Sequence, residues 1–324
     1  MSRNQAKNLA FWSAVLLLLL MFVFSGLRLV ESAFSSQEEE APVRSKTIER
    51  DGVAYFPRQD ITVVMVLGIG EWGEAKPAEW NEACAVDMVN LMVFDEKEES
   101  ITVLSLNRDT MLWMPKFTPD GKEQGQAYRQ LTYSHKFCTG MEDSCENVQR
   151  TVSEFLGGIT IDYYVSMRLD AIAIMNDAVG GVTVNVTEDF SKIDPSITKG
   201  QCTLKGKQAV AYVRTRREVG DGQNVSRMNR QQDYIRSFLN QARQKNDQDS
   251  AFLLNAYEQI APYLVTNCSA NVLSSMMQRY ADYSIDEYVT PEGENILGEE
   301  YMEFHVDEDR LDELVVRLFY APKK

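Results

Sequence analysis

Histidine is nearly missing from this chain: 324 residues contain two, His135 and His305, and they are far apart. That leaves no His-based catalytic triad pattern and too few imidazoles for a zinc site, and no CxxC pair replaces them. His305 lies in the alternating run EYMEFHVDE and reads as a surface strand residue. The sequence also lacks GxxxxGK[ST], which argues against nucleotide hydrolysis of the P-loop kind. Ser105, Ser134 and Ser226 have no GxSxG context. Positive charge is scarce, with 33 Lys and Arg against 48 Asp and Glu, a net of -15. An acidic balance of that size argues against non-specific binding to nucleic acid. There is no internal repeat. An apolar content of 44% with 25% charged residues is that of a globular chain.

Against this acidic background, arginine is concentrated in one place. The stretch AYVRTRREVGDGQNVSRMNRQQ holds Arg214, Arg216, Arg217, Arg227 and Arg230, with Gln231 behind them. A guanidinium is a planar fork of donors that matches two phosphate oxygens at once. A helix surface laced with ion pairs is the plain alternative. The preceding QAVAYVR is apolar, so Arg214 and Arg216 leave a buried element at alternate positions and point one way if extended. From Arg227 onward the spacing is helical, with Met228, Tyr234, Ile235, Phe238 and Leu239 on one stripe. Arginines from two elements would then meet at one mouth.

The N-terminus points to a compartment. Residues 9–30 form an apolar stretch around FWSAVLLLLLMFVFSGL, about the length that crosses a bilayer core. Arg3 and Lys7 precede it, while Glu31 and Glu38–Glu40 follow. The expected order is a cytoplasmic end at 1–8, a membrane helix at 9–30, a polar linker at 31–59 and an extracellular domain at 60–324. A cleaved signal peptide is the alternative, but the apolar run is long and no clean small-x-small site follows it. Five cysteines fit an exported protein that uses disulfides, with Cys138 and Cys145 the pair expected.

Folded sequence is expected to begin near Asp60. Ile61–Ile69 is a near-continuous apolar run, the pattern of a strand buried on both faces. Glu71–Cys84 reads as a long loop, Met88–Phe94 and Ile101–Leu106 as strands joined by the short turn DEKEES, and the chain after Arg108 as an irregular excursion through Pro115, Pro119 and Gly121. Ser144–Leu156 reads as a helix capped by Ser144 and ended by Gly157–Gly158. Ile161–Met167 and Val182–Val186 read as strands, and Asp170–Val179, Arg230–Lys245, Ala251–Val265 and Asp309–Leu318 as helices. Tyr301–Val306 is strand-like, and SIDEYVTPEGEN reads as solvated surface. Alternating strands and helices predict an α/β fold.

Three polar groups stand at ends of apolar strands: Asp87 before one, Arg108–Asp109 after another, and the arginine cluster. Strand ends are where open α/β sheets bind ligands, and the three together suggest a shared cleft. A carboxylate suits Mg²⁺ or Mn²⁺, which keep waters and bridge to substrate phosphates. Arginines beside such a metal point to a diphosphate ligand.

The series LGIG, AVDMVNLMV, VLSLNRDT, LGGITIDYYV, NDAVGGVTVNV, LKGKQAVAYVRTR and SRMNRQQ, in this order, resembles the LytR–CpsA–Psr family from about Asp60 to Asn240. The resemblance implies a central mixed β-sheet sandwiched by helices with a hydrophobic tunnel, preceded by one membrane helix. It implies a membrane-anchored phosphotransferase that moves an anionic glycopolymer from a polyprenyl diphosphate carrier to peptidoglycan or a related wall glycan, using Mg²⁺ or Mn²⁺. With water in place of the acceptor, the same chemistry would appear as pyrophosphatase. Asp87 resembles the family's metal aspartate. Arg108 resembles the diphosphate-contacting arginine of SxPRD, with Asp109 beside it and Asp109 and Asp221 as chemical candidates for a base. Arg214 and Arg216 resemble the YxRxR pair, and Arg227 and Gln231 the RxxRQ residues, with Arg230 an outward or supporting member. The chain departs from the family pattern at several places. Gly70 and Glu71 stand where GIDxR has aspartate and arginine. Ala85 stands where an arginine is usual, Asn224 where aspartate is common, and Asn107 where proline is. The departures at the metal site motivate the alternative of a non-catalytic protein that binds polyprenyl phosphate or wall polymer.

Overall fold

A computed structural model describes residues 47–50, 52–70, 85–117, 122–136, 138, 142–215, 218–220, 224–249, 252–269, 272, 275, 276, 279, 280 and 283–322. The elements in chain order are β1 Ile48–Arg50, β2 Val53–Pro57, β3 Ile61–Ile69, β4 Val86–Asp95, β5 Ser100–Leu106, β6 Met111–Phe117, β7 Glu123–Gln130, α1 Glu142–Phe155, β8 Tyr163–Arg168, α2 Asp170–Ala178, β9 Val182–Val186, β10 Gly200–Leu204, α3 Lys207–Arg214, α4 Asn224–Gln248, α5 Phe252–Ile260, β11 Leu264–Thr266, β12 Ser284–Val289, β13 Gly293–Leu297, β14 Met302–Val306, α6 Glu308–Phe319 and β15 Tyr320–Pro322. They fall into two compact units. Among the described residues no helix is long and apolar enough to cross a membrane, and the stretch 9–30 read as a membrane helix lies outside them.

The first unit holds the described residues of 47–167, 265–268 and 285–322. Its centre is a six-stranded sheet in the order β11-β8-β3-β4-β5-β12. β3 is apolar along its length because both faces are covered, and Val63, Met65 and Leu67 are fully buried in one core with Val148 and Val152 of α1 and Leu314 and Leu318 of α6. β3, β4 and β5 run antiparallel in sequence order. The tight turn after β4 is closed by Asp95, whose Oδ1 accepts from the amides of Lys97 and Glu98.

Arg58 ties the start of β3 to the end of β4. Its Nε and Nη2 grip Asp60 at 2.9 Å each, and its Nη1 reaches Asp95 at 2.8 Å. The Arg58 hydrogen bond holds the Asp60 carboxyl below its ordinary value, against a smaller opposing effect of burial. Burial alone would raise Asp95, but Arg58 and the two backbone amides outweigh it and the net shift is also downward. Carboxylates depressed on folding stabilise the fold above their unfolded pKa, and that contribution disappears as pH falls through the folded one. Wild type is therefore expected to hold its melting temperature down to about pH 4 and to lose it below. In Arg58→Met the acid-induced fall is expected to be smaller, which thermal melts from pH 7 to pH 2.5 check directly.

The second unit holds the described residues of 168–264 and 269–284. Here β9 pairs antiparallel with β10, while α4 packs on β9 and α2, α3 and α5 pack on α4 or on one another. Asn176 of α2 is fully buried and donates to Leu204 O at 2.8 Å, and its Oδ1 accepts from Val182 N at 3.0 Å. That one amide joins the end of a helix to both strands.

Several segments differ from the sequence expectation. Structure begins before Asp60: β1 and β2 lie within the stretch read as linker and form a three-stranded sheet with β15, whose backbone supplies the ladder that the polar sequence does not advertise. The excursion after Arg108 is a hairpin, β6 with β7, and tolerates Pro115 because the register shifts beside it. The acidic segment SIDEYVTPEGEN supplies edge strand β12 and most of β13. α5 stops at Ile260, and a 3₁₀ turn containing Pro262 leads into β11. Ser144 lies inside α1 and does not cap it, since that helix starts at Glu142. Cys138 and Cys145 are not paired: both are free thiols, as is Cys202. Cys145 faces the core on α1 with no exposure, and burial pushes its thiol up to about 12. Cys84 lies outside the described residues.

Candidate functional site

The residues singled out from sequence separate into two groups, one in each unit. In the first unit the site is made by a bulge. β4 follows β3 residue for residue until Gly68 opposes Met88, and then Ile69 opposes Val86, so Asp87 is the extra residue without a partner position. A bulge of this kind re-aims one side chain and strengthens the local twist. Gly68 permits it: a Cβ there would stand 3.1 Å from Met88 Cβ. Asp87 is thus the second residue of its strand and not the residue before it. A lone glycine within the apolar run ITVVMVLGI is the sequence signal for that bulge.

Opposite Asp87 stands Arg108, in the turn that leaves β5. Arg108 Nη1 donates to Asp87 Oδ1, and the two side chains are 21% and 11% exposed. The turn is closed by Asn107, which occupies the family's proline position. Its Oδ1 accepts from Asp109 N at 3.0 Å, and its carbonyl accepts from Thr110 N at 3.0 Å. A side-chain hydrogen bond here does what ring rigidity does elsewhere. Asp109 is buried, lies 3.6 Å from Arg108 Nε, and accepts from Gln130 Nε2 at 3.2 Å. Its carboxylate faces inward to the turn and the hairpin, a geometry for holding Arg108 in place.

Thr132 completes this corner, and sequence reading did not find it. Its amide donates to Arg108 O at 2.9 Å and its hydroxyl to Val86 O at 2.8 Å. One buried threonine therefore ties the backbone of Arg108 to the residue preceding Asp87. Gln130 acts similarly, bonding Met302 O at 2.7 Å as well as Asp109. Isolated Thr and Gln carry no motif; only the fold brings them here.

In the second unit, QAVAYVR is a helix and not an extended segment. Its buried residues Ala209, Tyr212 and Val213 recur at helical spacing on α3, and only Thr215 turns to an extended conformation. Arg214 is the last residue of α3 and is exposed. Arg216, Arg217 and Asp221 lie outside the described residues. α4 grips the end of α3. Gln231 Nε2 donates to Val213 O at 3.1 Å and Arg230 Nε to Tyr212 O at 3.1 Å, satisfying carbonyls that a helix end leaves without intrahelical partners. Arg230 further pairs with Glu188, donates to Thr215 O and stacks over Phe190 at 5.5 Å. Arg230 is accordingly buried at 5% exposure, not outward. Gly220 makes room for Glu188: its φ is +63° and a Cβ would meet Glu188 Oε1 at 2.2 Å.

Arg227, one turn earlier on α4, is 3% exposed and donates through Nη2 to Asn224 Oδ1 at 2.5 Å. Asn224 thereby orients the guanidinium as an aspartate would, without cancelling its charge. Burial pushes the Tyr212 phenol up to about 12, so it stays protonated at neutral pH.

As a test of metal fit, Asp87 is one partly buried carboxylate, and Mg²⁺ commonly takes one or two together with substrate phosphates and waters. Among the described residues no group of three His, Cys, Asp or Glu side chains is placed to hold an ion by itself. Glu71 lies outside them. The donor set suits a cation shared with a phosphate ligand and not a closed protein cage.

Comparison with known proteins adds three findings. A family model described as the LytR_cpsA_psr family matches residues 24–319. The polyisoprenyl-teichoic acid–peptidoglycan teichoic acid transferase TagU of Bacillus licheniformis is 28% identical over 196 residues, covering 60% of this chain and 57% of that protein. The chain thus spans little more than half of that relative's length. Among solved structures, Bacillus subtilis TagV superposes with a TM-score of 0.59 at 22% identity over 81% of this chain and 96% of that one. TagT bound to LI-WTA gives 0.57 at 22% identity, over 80% and 90%. These likenesses show the fold: a mixed sheet with helices.

Proposed function

Because the chain belongs to the LytR_cpsA_psr family, we propose that it is a membrane-anchored phosphotransferase that moves an anionic glycopolymer from a polyprenyl diphosphate carrier to peptidoglycan or a related wall glycan. Its N-terminus would be cytoplasmic, its membrane segment 9–30 and its folded part extracellular. The observation that carries the reading is the bulge that sets the Asp87 carboxylate against the Arg108 guanidinium. A carboxylate and an arginine held in contact at the ends of two interior strands form a preorganised place for a phosphate and its counter-cation.

In this reading Asp87 holds Mg²⁺ or Mn²⁺, which supplies charge neutralisation at the diphosphate oxygens. Arg108 swings its Nη1 donor from Asp87 to a phosphate oxygen when donor binds. Asp109, Thr132 and Asn107 keep the Arg108 backbone and side chain in register through that change. In this reading Arg214, Arg216 and Arg227 also have phosphate-binding roles, and Gln231 and Arg230 fix where Arg214 leaves α3. The acceptor hydroxyl attacks the phosphorus attached to the polymer, the bond to the bridging oxygen breaks, and polyprenyl monophosphate departs. Water in place of the acceptor gives pyrophosphatase activity.

A second reading rests on the lack, among the described residues, of a group of three carboxylate, His or Cys side chains around Asp87 and on the engagement of Asp87 by Arg108. In that reading the protein binds polyprenyl phosphate or wall polymer without turnover. The two are separated by incubating the full chain with polyprenyl diphosphate-linked polymer and measuring polyprenyl monophosphate release. The transferase reading expects release that depends on Mg²⁺ or Mn²⁺ and stops with EDTA.

A further inference from the structure

Large side chains exposed together are more informative than buried ones. On the β6–β7 hairpin, Trp113 and Tyr128 are directly opposed across the strands, with ring centroids 5.4 Å apart and planes at 51°. They are 60% and 45% exposed, although Leu112 and Met114 on the other face of the same strand are buried at 4% and 0%. The alternation is that of a strand with one face on the core and one open. On β7 the exposed Gln126, opposite Pro115, shares the face of Tyr128, so a neutral amide continues the open face.

We propose that this Trp113–Tyr128 face is a binding site for neutral sugar rings of the acceptor glycan, a reading that rests on the transferase function. The face of an aromatic ring is electron-rich and attracts the polarised C–H groups of a pyranose. The Gln126 amide offers both donors and an acceptor to hydroxyl and acetamido groups. An anionic lipid surface fits less well. Its binders join their apolar residues to a strongly basic face, and the strand positions that share a face with Trp113 and Tyr128 carry no basic residue. Glu303 and Glu308 also lie near enough to Tyr128 to add to the effect of burial in raising its phenol.

Position supports the assignment. β6 starts three residues after Arg108, and the far end of β7 is pinned to the same corner by the Gln130 bonds to Asp109 and Met302 O. Leu131 N closes the base of the hairpin on Thr110 O at 2.8 Å. A glycan stacked on the hairpin is thus held by the element that also holds Arg108.

The test uses the full chain in mild detergent and a hexamer of β-1,4-linked N-acetylglucosamine, with affinity read by calorimetry. Trp113→Ala is expected to weaken binding about tenfold or more, and Trp113→Phe, which keeps a π face, less than about threefold. Polyprenyl diphosphate affinity and melting temperature are expected to stay at the wild-type value in both. Phosphatidylglycerol vesicles are expected to bind wild type and Trp113→Ala equally. Wild type that ignores the hexamer overturns the proposal, as does a folded Trp113→Ala variant with unchanged hexamer affinity. Vesicle binding lost with Trp113 also overturns it, making this a lipid-facing hairpin. A wild type that binds the hexamer through Trp113 but never turns over donor removes the transferase reading while leaving the sugar site standing.

Discussion

Asp87→Asn is expected to lower donor turnover by about 10²- to 10³-fold, the loss typical when a charge-stabilising group is removed from a transition state, while donor affinity changes by less than about threefold. Asparagine is nearly isosteric, so the bulge at Gly68 and Ile69 and the fold around it should persist. What disappears is a negative charge. The cation of the proposed mechanism would lose its protein ligand, and Arg108 loses the charged acceptor of its Nη1. Affinity is spared because an Arg108 no longer tied to Asp87 meets phosphate at least as readily. Steady-state kinetics with a direct binding measurement on the same variant separates the two quantities. Turnover unchanged in Asp87→Asn would remove the carboxylate from the chemistry.

Arg230→Ala is expected to be the most destabilising single change in the second unit, costing about 3–5 kcal/mol, as for other broken buried ion pairs. Arg230 is 5% exposed, and its removal strands Glu188 together with the carbonyls of Tyr212 and Thr215. It also deletes the contact with Phe190. For a chain of this size the expected fall in melting temperature is roughly 6–20 °C. Arg214→Ala provides the contrast. Its exposed side chain at the end of α3 should leave stability within about 0.5 kcal/mol of wild type, yet donor affinity should drop. Differential scanning fluorimetry with a donor-binding measurement on the two variants decides whether the arginines of the two motifs divide between structure and ligand. Equal melting temperatures would contradict that division.

How much of this was legible in the sequence depends on the physical signal each feature leaves. β3, β4 and β5 were plain because their burial makes near-continuous apolar runs. α1, α4 and α6 were plain because their apolar stripes recur at helical spacing. QAVAYVR was misread because seven residues of mostly small and apolar type fit either period; Gly206, with φ of 50°, starts the helix that sequence alone does not announce. β1 and the edge strand β12 carry charged residues and β2 is a five-residue run ending in proline, so their strand character comes from partners distant in the chain.

The candidate site was legible in its charged residues and not in its supports. Asp87, Arg108 and Arg227 could be picked out because charge next to apolar runs is conspicuous. Thr132, Gln130 and Asn224 could not, since a hydroxyl or amide has a role only through the atom it reaches: Arg108 O and Val86 O, Met302 O and Asp109, and Arg227 Nη2. Arg230 shows the converse. Read as an outward or supporting member of its motif, it is committed to the carbonyls at the end of α3. The pairing expected between Cys138 and Cys145 failed for a related reason: seven-residue spacing says nothing of direction, and Cys145 points into the core.

The central claim is tested most directly by polyprenyl monophosphate release from polyprenyl diphosphate-linked polymer, measured with the full chain, with and without a wall glycan acceptor, across a titration of Mg²⁺ or Mn²⁺. The account predicts cation-dependent release, abolished by EDTA, with polymer recovered on the glycan through a phosphodiester. Tight donor binding with no release at any cation concentration would contradict it, and the protein would then be a binder of the lipid-linked polymer and not its transferase.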